Sequence, residues 1–178
     1  MKPSVATYLF VLLLPTVTLL GGGRLLNAVS GRVIDPQHPP LNLRWSGYSA
    51  EDVEHYFEPL RVDGLRSERR FLEFDLVFPP VLAAALLTSL LKGSALLGWH
   101  RRGWLVALVV LGTAADWTEN VSLLSQFDPF LQTGAIDPRA IAMASAGTVV
   151  KLNALGLSFL LIAVMVSVDL WRRRRFAV

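Results

Sequence analysis

The chain has 178 residues, of which 53% are hydrophobic and 17% are charged, and it contains no cysteine. An average soluble domain carries about 25% charged residues, so this composition is typical of a membrane protein. The lack of cysteine excludes disulfides, thiolate nucleophiles and cysteine-based metal sites. The net charge of +3 does not indicate nucleic-acid binding, because the basic residues cluster at the ends of apolar segments.

Four apolar segments are long enough to cross a bilayer as helices, which takes about 20 residues each. They cover about residues 5–26, 71–91, 103–124 and 140–170. We therefore predict an all-α fold in which residues 1–178 form a single membrane domain, a bundle of four transmembrane helices. A cleaved signal peptide is the alternative for the first segment, but Arg24 separates its apolar run from the small-residue site, which favours a retained helix.

The basic residues predict the orientation of these segments. Cytoplasmic loops carry an excess of lysine and arginine. Here such residues lie between the second and third segments and after the fourth, at Lys92, Arg101, Arg102 and Arg172–Arg175. Both termini are thus predicted to be cytoplasmic, and residues of about 31–70 and 127–139 are predicted to form outer loops. Tryptophans expected to anchor the helices at the cytoplasmic interface are Trp99, Trp104 and Trp171.

The long outer loop is predicted to contain one short helix. Its first part includes Pro36, Pro39 and Pro40, which favour extended chain. Ser49 and Asp52 then have the spacing of a capping box at a helix start. The residues that follow carry an apolar stripe, formed by Val53, Tyr56, Phe57 and Leu60. This helix either lies on the membrane or caps the bundle.

The third segment contains the stretch ADWTEN, although a charged side chain inside a membrane needs a partner or a water-filled cavity. Asp116, Glu119 and Asn120 have the i, i+3, i+4 spacing of one helix face. In the fourth segment, Lys151 comes at a similar depth. We therefore predict that Lys151, Asn153 and water satisfy the two carboxylates in a shared pocket in the outer half of the bundle.

Two more acids, Glu73 and Asp75, stand at the start of the second segment. They are two residues apart and cannot share one face of a helix, so we expect only the deeper Asp75 to turn inward. The pair Pro79-Pro80 is predicted either to kink this helix or to begin its fully buried part. Because acids outnumber the one lysine, one carboxylate is predicted to be protonated or to pair with an arginine, such as Arg69 or Arg70.

Two interpretations of these polar residues stay open. In the first, the ion pairs only specify how the helices pack. In the second, they bind a largely apolar molecule with one polar group, and the candidate residues are Asp75, Asp116, Trp117, Glu119, Asn120, Lys151 and Asn153. Trp117 either stacks on a cation or packs against lipid or a neighbouring helix. Buried acids also suit acid/base chemistry, but the sequence assigns no catalytic residue.

Other functional classes lack their motifs. The chain has no G-x-S-x-G, no P-loop and no G-x-G-x-x-G. Its histidines, His38, His55 and His100, are too scattered for a metal site, so neither a metal nor a cofactor is predicted. The predicted partner is a membrane lipid or an apolar small molecule. The alternative is a membrane-protein partner or a homodimer, with the chain acting as a non-catalytic accessory subunit.

The order of these segments resembles the EXPERA family, which includes the sigma-2 receptor and the emopamil-binding sterol isomerases. The stretch FLEFDLVFPPVLAAALLTSLLKG is similar to the second span of that family, and Asp75 matches its acid. Asn27 stands where the family has an acid late in its first span. The chain also resembles bacterial four-span proteins with the D-x-x-E-N and K-x-N signatures, which implies a location in the bacterial plasma (inner) membrane.

Overall fold

The computed structural model describes residues 3–35 and 39–175, and these residues have an all-helical fold. In this part of the chain there are seven α-helices: α1 Val5–Ser30, α2 Ala50–Phe57, α3 Arg61–Asp75, α4 Phe78–Leu96, α5 Gly103–Leu124, α6 Phe127–Thr133 and α7 Pro138–Arg175. Short 3₁₀ turns at Leu41–Leu43 and Glu58–Leu60 flank α2. Pro36 and His38, which the sequence analysis singled out, lie outside the described residues.

Three of the described helices, α1, α4 and α7, are long and apolar enough to cross a membrane. Helix α5 has 22 residues and thus the necessary length. It is not in this group because its polar side chains, Asp116, Glu119 and Asn120, lower its hydropathy. The predicted all-α class and the predicted membrane-length helices are confirmed, whereas α5 as a fourth span stays a prediction.

The region predicted as a long outer loop with one short helix is mostly helical. It contains both α2 and α3, and α3 continues to Asp75, inside the predicted second span. The helix is then interrupted by a turn at Leu76 and Val77, and Pro79 and Pro80 lie in the first turn of α4. Proline is tolerated there because the N–H that it lacks would have no helical partner. The proline pair therefore begins a helix and does not kink one.

Helix α2 is capped as predicted. Asp52 N donates to Ser49 Oγ at 3.1 Å, and Ser49 N donates to Asp52 Oδ2 at 2.8 Å. Val53, Tyr56 and Phe57 are buried, and α2 packs against α7. Of the two predicted positions for this helix, it therefore takes the one that caps the other helices.

Helices α5 and α7 make the most extensive contact in the fold, and α4 packs against α1, α5 and α7. Two glycines permit close approaches between helices. A Cβ atom on Gly147 of α7 would lie 2.6 Å from the carbonyl oxygen of Ala115 on α5. A Cβ atom on Gly22 of α1 would overlap the ring of Phe78 on α4. Helix–helix contacts in membranes commonly use small residues in this way.

Buried apolar side chains form two separate clusters. The aromatic core joins α2, α3 and α6 to the adjoining ends of α1, α5 and α7, and includes Tyr48, Tyr56, Phe57, Phe71, Leu72 and Phe127. The rings of Phe57 and Phe127 have centroids 4.8 Å apart. The aliphatic core lies among α1, α4, α5 and α7, and includes Val11, Leu82, Leu86, Leu90, Leu105, Ile162 and Met165.

Candidate functional site

Polar side chains occupy the level between the two cores. On α5 they follow Val109 of the aliphatic core and precede Leu123 of the aromatic core, and α7 has the same order in reverse. This polar layer consists of Asp75, Asp116, Glu119, Asn120, Thr148 and Lys151. Glu119, Asn120 and Thr148 have no exposed surface. Each side chain in the layer must therefore find its partner within the protein or in the adjacent cavity.

Lys151 is the cation of this layer. Its Nζ donates to Asp116 Oδ1 at 2.9 Å and also forms an ion pair with Glu119 Oε2. The Glu119 carboxylate is fully buried, so the compensation of its charge depends on this ion pair. The predicted pairing of Lys151 with Asp116 or Glu119 is confirmed, and one ammonium group compensates both acids.

Asn120 and Trp117 donate hydrogen bonds to the residues where α3 ends and the turn to α4 begins. Asn120 Nδ2 donates to Asp75 Oδ2 at 3.1 Å and to the Asp75 carbonyl at 3.4 Å, and Trp117 Nε1 donates to the Leu76 carbonyl at 2.8 Å. Carbonyls at the end of a helix lack partners within that helix. The two side chains thus satisfy groups that would be costly to leave unpaired in apolar surroundings.

The two acids at the end of α3 have different roles. Asp75 is 5% exposed and turns inward, as expected. Glu73 lies on the surface, where it pairs with Arg69 at 3.1 Å. Arg69 also binds Asp128 at 2.6 Å. Arg69 therefore compensates surface acids, and Asp75 forms no ion pair with any described residue.

A cavity of about 450 Å³ adjoins the polar layer. Its wall is formed by α1, the segment that follows α1, α3, α4, α5 and α7, and Asp75, Asp116 and Lys151 reach it. Most of the remaining wall is apolar, with side chains such as Leu19, Leu82, Leu86, Leu108, Val109 and Leu155. Small-molecule sites commonly have volumes of roughly 300–1,000 Å³ and walls of this composition.

The other predicted site residues do not reach the cavity. Glu119 and Asn120 belong to the polar layer but lie behind the wall. Trp117 is 44% exposed and bonded to the α3–α4 break. Asn153 is exposed, and its amide donates to the Val149 carbonyl of its own helix at 2.8 Å. The structure thus places Asn153 outside the pocket in which it was predicted to satisfy Asp116 and Glu119.

A second polar group on the cavity wall was missed. Arg32 Nη2 donates to Glu68 Oε1 at 2.6 Å and to the Tyr56 hydroxyl at 3.3 Å. Its guanidinium carbon lies 4.0 Å from the centroid of the Phe71 ring. Burial raises the pKa of Glu68, although Arg32 acts in the opposite direction, and burial raises the pKa of Tyr56 to about 12.

One sequence signal pointed to this group. The buried face of α3 is formed by Leu65, Glu68, Phe71, Leu72 and Asp75, which follow the helical spacing. Glu68 and Asp75 are the charged members of this stripe. A charged residue on an otherwise apolar stripe indicates a buried partner, but the spacing alone does not identify Arg32 as that partner.

The comparisons with known proteins add no assignment. No protein-family model matches the chain, and searches of curated proteins and of solved structures give no match. The resemblance to the EXPERA family therefore stays a prediction. Within residues 3–35 and 39–175, no group of three or more histidine and acidic side chains is placed to hold a metal ion.

Proposed function

We propose that this chain is an integral membrane protein that binds a lipid-like or amphiphilic small molecule in the cavity. The supporting observation is the cavity itself, which is mostly apolar but contains Asp75, Asp116 and Lys151 in its wall. If the polar layer only specified packing, the space around Lys151 would be expected to be filled. The same criterion argues against the alternative, a non-catalytic accessory subunit with a closed interior.

The proposed topology has four spans, α1, α4, α5 and α7, with both termini in the cytoplasm of a bacterial cell. It is supported by the basic residues between α4 and α5 and at the end of α7. Trp99 lies between α4 and α5 and Trp104 in the first turn of α5, and their ring centroids are 6.4 Å apart. Helix α5 can cross a membrane because Glu119 is fully buried and Lys151 compensates its charge.

Cysteine labelling tests this topology in a chain that has no native cysteine. Single cysteines replace Ala50, His100 and Gly134. In intact cells, a membrane-impermeant maleimide is expected to label positions 50 and 134 but not position 100. Labelling of position 50 only from the cytoplasmic side would contradict the topology.

Native mass spectrometry of the gently purified full chain tests ligand binding. Ala83 lines the cavity, whereas its neighbour Ala84 is exposed and does not. We expect the wild-type protein and the control Ala84→Phe to carry a co-purified amphiphile, and Ala83→Phe to lose it. If the wild-type protein carries none, or if Ala83→Phe retains it, the proposal is wrong.

Proton transfer to or from the ligand is a second candidate function. It is favoured by the unlike surroundings of the two carboxylates on the wall: Asp116 pairs with Lys151, while Asp75 accepts from the Asn120 amide. Acids in unlike surroundings can divide the roles of acid and base. The expected result is that deuterium enters the bound ligand in D₂O with the wild-type protein but not with Asp75→Asn. A wild-type protein that incorporates no deuterium would leave binding as the function.

A further inference from the structure

Three buried polar atoms of side chains on the cavity wall have no hydrogen-bond partner among the described residues. Asn27 Oδ1, Arg32 Nε and Asn42 Oδ1 are buried, and none forms a hydrogen bond within the described part of the chain. All three residues line the same cavity. The Arg32 backbone N–H donates to the Asn27 carbonyl at 3.1 Å, which holds two of them together at the end of α1. Buried polar atoms are nearly always bonded, so this set indicates a ligand group.

The chemistry of Arg32 determines what this group must offer. The Arg32 side chain is 5% exposed, and its Nη2 is occupied by Glu68 and Tyr56. Its Nε can only donate, so it requires an acceptor such as an oxygen atom. The amides of Asn27 and Asn42 can present either oxygen or nitrogen after rotation. All three therefore suit a head group that contains oxygen.

The charged side chains near Asn27 favour an anion over a cation. Both carboxylates there already accept hydrogen bonds, Asp116 from Lys151 and Asp75 from Asn120. In contrast, Arg24 lies one helical turn before Asn27, lines the cavity and forms no ion pair with a described residue. Arginine binds carboxylate and phosphate groups through its fork of N–H donors. Near Asn27 the wall therefore presents the arginines Arg24 and Arg32 to a ligand, whereas its carboxylates, Asp75 and Asp116, reach the cavity from α3 and α5.

We propose, on the basis of the proposed function, that the ligand is an amphiphile with an anionic head group, a carboxylate or a phosphate. The head-group site consists of Arg24, Asn27, Arg32 and Asn42. The apolar part of the ligand then lies along α4 and α5. Cavity-lining residues of α5 extend from Leu108 to Asp116, a rise of eight steps or about 12 Å along the helix.

The test uses probes that share one oleyl chain and differ in the head group. The full chain in dodecyl maltoside is titrated with oleic acid, oleoyl lysophosphatidic acid, oleyl alcohol or oleylamine at pH 8, and bound adducts are measured by native mass spectrometry. One or both anionic probes are expected to bind about tenfold tighter than the alcohol, because hydrogen bonds to charged groups are stronger. The stronger anionic probe shows whether the site is built for carboxylate or for phosphate.

Arg24 is exposed, so Arg24→Gln is expected to fold and to lose this preference. Arg70→Gln removes an exposed arginine of α3 that does not line the cavity, and it should keep the preference. The inference is overturned if the alcohol or the amine binds as tightly as both anions, or if Arg24→Gln retains the preference. Such results leave the proposed function intact, whereas it fails if no probe binds or if Ala83→Phe does not weaken binding.

Discussion

The aromatic core and the aliphatic core both bury apolar side chains between helices, but different kinds of helix form them. The aromatic core is closed by α2, α3 and α6, none of which is long and apolar enough to cross a membrane. The aliphatic core lies between the membrane-length helices and α5. Side chains leave water when the first core forms. If the proposed topology is correct, side chains of the second core leave lipid, which is as apolar as they are.

Under the proposed topology, this difference explains the composition of each region. Exclusion from water stabilises large aromatic side chains, and the short helices supply Tyr56, Phe57 and Phe127. Helices that pack in lipid are stabilised by close van der Waals contact instead. In the aliphatic core, α4 and α7 make such a contact at Gly93 and Met165. In the polar layer between the cores, the ion pairs of Lys151 lie beside the close contact between α5 and α7 at Gly147.

The largest effect is expected from Lys151→Met, which disturbs the layer that joins the two cores. Removing one member of a buried ion pair commonly costs about 3–5 kcal/mol. The loss should appear as a lower melting temperature in detergent. The double variant Lys151→Met/Glu119→Gln should recover part of it, because the fully buried Glu119 carboxylate is no longer stranded.

Lys92→Met is the control. Lys92 lies near the C-terminal end of α4, outside the polar layer, and its Nζ is 5.3 Å from the Phe10 ring centroid. Its effect should be much smaller than that of Lys151→Met. Additive losses in the double variant would show that Lys151 and Glu119 do not stabilise each other.

Replacing one buried leucine in each core tests whether the two cores differ in stability. Leu72 in the aromatic core and Leu90 in the aliphatic core are 2% and 0% exposed. Replacing a buried leucine with alanine typically costs about 2–5 kcal/mol in soluble proteins. Leu72→Ala should fall in that range, and Leu90→Ala should cost less because only packing is lost in lipid. An equal or larger loss for Leu90→Ala, measured by denaturant titration in the same detergent, would contradict the proposed lipid surroundings.

A smaller effect is expected where α5 and α7 approach each other. Gly147→Ala places a methyl group against the Ala115 carbonyl, and overpacking of this kind typically costs about 1–3 kcal/mol. Gly21→Ala is the matched control, because a Cβ atom there meets nothing within 4 Å. A melting temperature for Gly147→Ala equal to that of Gly21→Ala would show that the two helices can move apart freely.

The smallest effect concerns the cap of α2. Hydrogen bonds from the Ser49 backbone and side chain lower the pKa of Asp52. A carboxyl with a lowered folded-state pKa stabilises the fold above its unfolded value of about 3.9, and this contribution is lost as the pH falls through the folded value. Asp52→Asn should therefore lower the melting temperature at pH 7, by an amount equivalent to less than about 1 kcal/mol, and the difference from the wild-type protein should become smaller at pH 3. A gap of the same size at both pH values would exclude the ionised cap.

Much of the helical framework could be predicted from local signals. The bounds of α5 and the cap of α2 depend on apolar length and on a two-residue cap, both visible in a short window. The continuation of α3 to Asp75 was missed because an apolar run on either side of Pro79 reads as one segment. Hydropathy alone does not locate a break inside such a run.

The site was predictable where partners lie at helical spacing and less so where they are distant. The Lys151 pairing followed from depth and from the spacing on α5. The Arg32–Glu68 pair joins residues from two separate helical regions, and no local pattern specifies it. The placement of Asn153 beside Lys151 was an avoidable error, since residues two apart lie on nearly opposite faces of a helix.

The hydrogen bonds from Trp117 and Asn120 to the end of α3 hold α5 at one position along its axis. Their acceptors are the adjacent residues Leu76 and Asp75, so both bonds form at one register only. A slide of α5 by one turn, about 5.4 Å, would break both and expose two carbonyls to apolar surroundings. The turn between α3 and α4 thereby fixes the height of Asp116 on the cavity wall, and with it the position of the carboxylate that accepts from Lys151.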